Sequence, residues 1–164
     1  MSNSSPLILL GKIRALNIIT FFFDKIYIPP AVHHEIIEED KENLHADAML
    51  IRKMVDEQQI IVKSDFNHPL RDRSYPNNSL HPGEVDAIEL ALSMKHEVIL
   101  LDDEEARKVA RSFDLHVKGT LGLLIDYNKA GQVDKASALK LLDELNKIMY
   151  MSADLYRLVE SNLK

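Results

Sequence analysis

Four consecutive acids, Asp102, Asp103, Glu104 and Glu105, follow directly on the apolar run Val98, Ile99, Leu100 and Leu101. So much negative charge at the end of a buried segment has two readings. The plain one is a helix start. Acids in a first turn suit the helix dipole, Asp102 or Asp103 serves as N-cap, and Arg107, Lys108 and Arg111 lie further on, where cations are tolerated. The chemical one is a cation site. Carboxylates brought together repel one another, and a divalent ion such as Mg²⁺ or Mn²⁺, which takes oxygen ligands, relieves the repulsion. One or two such ions can activate water and stabilise charge on a phosphodiester.

Three more residues are placed to join such a site. Glu84 stands three positions before Ala87 and four before Ile88. On a helix it lies in line with the apolar stripe, in the first turn, where an inward carboxylate is unusual. Glu35 comes three residues after Val32 and one before Ile36, at the edge of a buried stripe, whereas Glu38 and Glu39 fall toward solvent. Asn3 sits at the end of whatever strand precedes the first helix. Each has a bland alternative: dipole and capping chemistry for Glu84, a solvated helix face for Glu35, a cap or turn for Asn3.

Other chemistries lack their residues. There is no cysteine, so disulfides, thiolate metal sites and a thiol nucleophile are excluded, and a reducing compartment such as the cytoplasm fits. His33 and His34 are adjacent, and His45, His68, His81, His96 and His116 are scattered with no zinc-ligand spacing. Neither a G-x-G-x-x-G nor a Walker-type glycine loop is present, and "NSSPL" lacks the glycines of a nucleophile elbow.

The chain has 164 residues, 46% hydrophobic and 28% charged, which suits one globular domain. No apolar run reaches the roughly 20 residues of a membrane helix, and the N-terminus has no basic leader, so neither a membrane anchor nor a signal peptide is expected. The net charge of −6 speaks against broad nonspecific nucleic-acid binding, yet a carboxylate metal site carries its own excess of acids.

Short branched runs alternate with helical patterns along the chain. Strands are predicted at Ile26 to Ile28, in "QIIVK", in the Val98 run and in "LHVKG". Helices are predicted from "NSSPLILL", capped by Ser4 or Ser5 with Pro6 at the first position, and from "LNIITFFF", "PAVHHEIIEEDK", "ENLHADAMLIRKMVDEQ", "EVDAIELALSMK", "DDEEARKVARSF" and "TLGLLIDYNKAG", the last capped by Thr120 and stopped by Gly131. Two more close the chain, around 134–148 and 153–163. Residues 64–83, with Pro69, Pro76 and Pro82, form a long loop. This alternation means an α/β fold with a parallel sheet, and such sheets bind ligands outside the carboxyl ends of their strands, where Asp102 stands.

The motifs "SNSSPLI" (2–8), "IPPAVHHEI" (28–36), "LHPGEVDAIELA" (80–91), "LLDDEEAR" (100–107) and "GTLGLL" (119–124) occur in an order and spacing that resembles the PIN-domain family, the ribonuclease fold of VapC-type toxins. The resemblance implies a three-layer α/β/α domain over 1–164, with a parallel sheet of four or five short strands, a core over about 1–125 and C-terminal helices over about 126–164. It implies a Mg²⁺- or Mn²⁺-dependent ribonuclease whose acids fall on Glu35, Glu84 and Asp102, with Asp103 as an outer-sphere group. Asn3 occupies the position of a further acid and supplies a neutral oxygen instead. Thr120 is expected to hold metal-bound water or phosphate. RNA is the implied substrate, a small antitoxin protein and a second copy of the chain (a homodimer) are implied partners, and no membrane is involved. Two rivals remain. One is an inactive module of the same fold that works through protein contacts. The other is a phosphohydrolase with a phosphorylatable aspartate at the first strand, which Asn3 disfavours.

Overall fold

The computed structural model describes residues 1–37, 46–67, 80–95 and 98–164. Along the chain these form α1 (Ser4–Lys12), α2 (Asn17–Phe22), β1 (Ile26–Ile28), α3 (Pro30–Ile37), α4 (Ala46–Asp56), β2 (Ile60–Val62), α5 (Pro82–Ser93), β3 (Val98–Leu100), α6 (Glu104–Ser112), β4 (His116–Lys118), α7 (Thr120–Lys129), α8 (Lys135–Ile148) and α9 (Ala153–Asn162). The predicted elements are all present. The first residues of the helix predicted from Glu42, the acids Glu38 and Glu39, and most of the 64–83 loop lie outside the described residues.

The strands are parallel, as expected, but they do not form one sheet of four or five. β1 pairs with β2, and β3 pairs with β4. Between the pairs lie Met1, Ser2 and Asn3. Ser2 N–H donates to the Tyr27 carbonyl (3.2 Å), Asn3 N–H to the Leu100 carbonyl (3.2 Å), and Leu100 N–H to the Met1 carbonyl (2.9 Å). Ser2 makes an isolated parallel bridge with Leu100. The physical reason is alternation: Ser2 bonds to β1 and Asn3 to β3 before helix α1 begins at Ser4, so no ladder forms on either side.

Side-chain alternation along the strands builds two cores. Ile26 and Ile28 of β1 and Leu100 of β3 join a cluster with Leu7, Ile18, Val32, Ile51, Leu123, Leu142 and Val159 from α1, α2, α3, α4, α7, α8 and α9. Ile99 and the following Leu101 point the other way, into a cluster with Ala87 and Ile88 of α5 and Ala106 and Ala110 of α6, against which Tyr27 and Val117 also pack. Strands of period two, feeding a helical layer on each face, make the α/β/α arrangement. The C-terminal helices α8 and α9 belong to the first core through Ala138, Leu142, Leu145 and Val159. Gly11 lets α1 approach α4, since a Cβ there would stand 2.8 Å from the Cβ of Asp47. No helix among the described residues is long and apolar enough to cross a membrane.

Candidate active site

Pro29 and Pro30 end β1 and open α3, because a proline cannot donate to a ladder but fits the first turn of a helix. That start places Glu35 on the second turn, partly buried. Its carboxylate lies over the first turn of α5: a Cβ on Gly83 would stand 3.2 Å from Glu35 Oε2 and 3.4 Å from Val32 Cγ2. Glycine at 83 is what lets this carboxylate come beside its neighbour Glu84.

Glu84 occupies the third position of α5, with Pro82 at the first, and is 7% exposed. Its Oε2 accepts the His81 N–H at 3.0 Å, half of a capping box. The capping reading is therefore true of Glu84, and so is the inward reading. Burial pushes its carboxyl above the ordinary range, the charges of Asp103 and Glu35 push in the same direction, and the His81 contacts oppose them. Glu35, Glu84 and Asp103 are thus close enough for their charges to interact.

Asp103 is the N-cap of α6, its Oδ1 accepting the Ala106 N–H at 2.8 Å. The plain helix-start reading holds for Asp103 and not for Asp102. Asp102 turns instead toward β4, where its Oδ1 accepts the Thr120 N–H (2.7 Å) and its Oδ2 the Thr120 hydroxyl (2.6 Å). Thr120 is not the N-cap of α7; Gly119 is, and Thr120 is the first helical residue, fully buried, with its hydroxyl given to Asp102. Burial raises the Asp102 carboxyl, while the two Thr120 bonds and the Arg107 charge pull it back without cancelling the rise. A Cβ on Gly119 would stand 2.9 Å from Asp102 Oδ1 and 3.3 Å from Arg107 Nη1, so this glycine makes the space in which both groups sit.

Asn3 holds the N-cap position of α1, yet its side chain makes no cap hydrogen bond. It is 2% exposed, and its Oδ1 is buried with no hydrogen-bond partner. An unmet buried carbonyl costs about 1–3 kcal/mol. The cap or turn reading does not account for it. Through its backbone bond to Leu100, Asn3 stands at the end of β3, level with the segment that carries Asp102.

The donors present suit a hard cation: all are oxygens, two carboxyls are raised by burial, and one amide oxygen is open. Among the described residues, no three His, Cys, Asp or Glu side chains stand grouped so as to hold a metal ion. The acids form two sets, Glu35 with Glu84 and Asp103, and Asp102 with Thr120 and Arg107, while the Asn3 oxygen is buried without a partner.

Sequence reasoning missed Arg107 and Gly119. In the sequence Arg107 is one of three cations in the helix after the acids. Arg107 is local to Asp102 on the first turns of α6, but the space over Gly119 that both share comes from β4 lying beside β3, which no local pattern reports. The glycine immediately before Thr120 was the one available signal of a close approach.

A family model described as a PIN domain matches residues 1–164. No curated protein and no solved structure matches the chain.

Proposed function

The chain belongs to the PIN-domain family, and from that premise we propose that it is a divalent-metal-dependent ribonuclease hydrolysing RNA phosphodiester bonds. Members of the family are generally nucleases. The observation that carries the reading is the buried, unpartnered Oδ1 of Asn3 at the end of β3, the strand that leads to Asp102, whose carboxyl is raised by burial. Mg²⁺ or Mn²⁺ would be held by Asn3, Glu35, Glu84 and Asp102, directly or through water, with Asp103 in the outer sphere. When bound, the ion supplies an activated water and neutralises charge on the phosphodiester.

The chain's own residues do the remaining work. Thr120 fixes both oxygens of Asp102, so this carboxylate is aimed before anything binds. His81 does the same for one oxygen of Glu84. Ile99 and Leu101, buried against α5 and α6, hold the strand end that carries Asp102. We place the enzyme in the cytoplasm as the toxin of a toxin–antitoxin pair, with a small antitoxin protein covering the acids and a homodimer as its assembly.

The test is a calorimetric titration with Mn²⁺ alongside a thermal melt. Binding to the native state raises its melting temperature. The wild type is expected to bind and be stabilised, and Glu84→Gln to lose most of both. A second reading is an inactive module of the same fold. It draws on two facts: Asn3 brings no charge, and both Asp102 oxygens are already engaged by Thr120. No heat and no stabilisation at millimolar Mn²⁺ would decide for that module.

A further inference from the structure

Arg107 has a role that the acids do not explain. It lies on the first turn of α6, partly buried, and its Nε is buried with no hydrogen-bond partner. Its Nη1 shares the space over Gly119 with Asp102 Oδ1, and Asp102 feels its charge. A guanidinium held only to neutralise Asp102 would donate to it, but Asp102 takes its hydrogen bonds from Thr120. The buried Nε of Arg107 is thus left without an acceptor among the described residues.

Arg107 lines a groove of about 800 Å³ together with Asp102, Glu104, Gly119, Lys129 and Tyr150, among others. Of the cations there, Lys118 is engaged by Asp126. Lys129 is exposed, and Tyr150 is 93% exposed. A groove that joins a forked cation to an aromatic face and apolar walls suits a single nucleic-acid strand, with phosphates on the charges and bases on the ring. Guanidinium groups match phosphate oxygens in paired donation, which a lysine cannot copy. In a chain of net charge −6, and in a groove that also holds Asp102, Glu104 and Asp126, these cations are a local feature and not part of a general basic surface.

We infer that Arg107 binds a phosphate of the RNA strand next to the acids and that the groove between α7 and the α8–α9 corner carries that strand. The inference rests on the ribonuclease reading for its substrate class. Arg107 is a catalytic residue in the sense of touching substrate, and its contribution is separable from metal binding.

The experiment measures binding of a fluorescein-labelled, single-stranded 2′-O-methyl RNA by anisotropy, in Mn²⁺, across a salt series. Wild type, Arg107→Gln and Arg107→Lys are compared, and Mn²⁺ affinity is titrated for each. Arg107→Gln is expected to bind RNA on the order of tenfold more weakly, through loss of a charged hydrogen-bonding group. Its salt slope should fall by about 0.7, the value of one phosphate contact on a single strand. Arg107→Lys should keep the slope and lose part of the affinity. Mn²⁺ affinity should be unchanged or tighter, because a cation has left the site. Unchanged RNA affinity and slope in Arg107→Gln overturn the inference and leave the ribonuclease reading intact. RNA affinity that falls only in step with Mn²⁺ affinity also overturns it, since Arg107 would then act through Asp102. A wild type that binds this RNA and cleaves no natural RNA, with Arg107→Gln showing the predicted slope change, sinks the ribonuclease reading and supports Arg107 as a strand-binding group. A wild type that binds an acidic peptide and no RNA overturns both.

Discussion

Thr120 gives both its backbone N–H and its hydroxyl to Asp102, and this pairing fixes both oxygens of the carboxylate. Thr120→Val keeps the shape and the N–H bond but removes the hydroxyl. Hydrogen bonds to charged groups contribute about 1.5–3 kcal/mol, so urea unfolding should show a loss of that size. A change below about 0.5 kcal/mol, the scatter of ordinary surface substitutions, would mean that the hydroxyl does not hold Asp102. Glu84 allows a test by pH. Its folded carboxyl is raised, chiefly by burial, above its ordinary value of 4.5. The folded state therefore holds the proton more tightly than the unfolded chain does. Below 4.5 both states are protonated and no penalty exists; as pH rises through the raised value, the metal-free fold loses stability. Glu84→Gln removes the charge and keeps an acceptor for the His81 N–H. Without metal, the variant should melt above the wild type at neutral pH, with the gain shrinking to nothing as pH falls below 4.5. Thermal melts from pH 4 to 8 check this, and a gain independent of pH would contradict the assigned cause.

Two glycines of one helix start separate close approach from mere flexibility. At Gly119 a Cβ would stand 2.9 Å from Asp102 Oδ1 and 3.3 Å from the Leu101 carbonyl, and Asp102 cannot swing away without losing its Thr120 bonds. At Gly122, inside α7, a Cβ meets nothing within 4 Å. Gly119→Ala should cost about 1–3 kcal/mol, the range for overpacking, and should weaken Mn²⁺ binding. Gly122→Ala should stabilise by about 0.5–1 kcal/mol through helix propensity and leave Mn²⁺ binding unchanged. Equal effects in denaturation and titration would show that position 119 has no special packing. At this scale the sequence was informative. The branched runs became β1 to β4, Pro30 opened α3, and Gly131 ends α7 with φ of 74°. Those signals are local: spacing, ring geometry and missing side chains. The rest was not legible because it depends on contacts between distant segments. Thr120 bonds Asp102 across 18 positions, and Asn3 stands at a helix cap while its oxygen caps nothing. The division of the strands into two pairs is not legible either, because it turns on Ser2 and Asn3 bonding alternately to β1 and β3.

For the molecule as a whole, the two cores explain why acids distant in sequence share one end of the fold. Leu100 faces one core and Ile99 with Leu101 the other, so β3 is clamped from both sides and delivers Asp102 and Asp103 at its end. Ile28 anchors β1 in the same way ahead of Glu35. The proposal that this end hydrolyses RNA is tested most directly by Mn²⁺-dependent cleavage of a mixed single-stranded RNA pool. Wild type, Asn3→Asp and Asp102→Asn are compared at matched purity over a Mn²⁺ series. Asn3→Asp adds one charge at nearly the same volume where a buried oxygen now lacks a partner. It should cleave at lower Mn²⁺ than the wild type, the wild type should cleave only at high Mn²⁺, and Asp102→Asn should not cleave. No cleavage by either wild type or Asn3→Asp at any Mn²⁺ concentration would contradict the account.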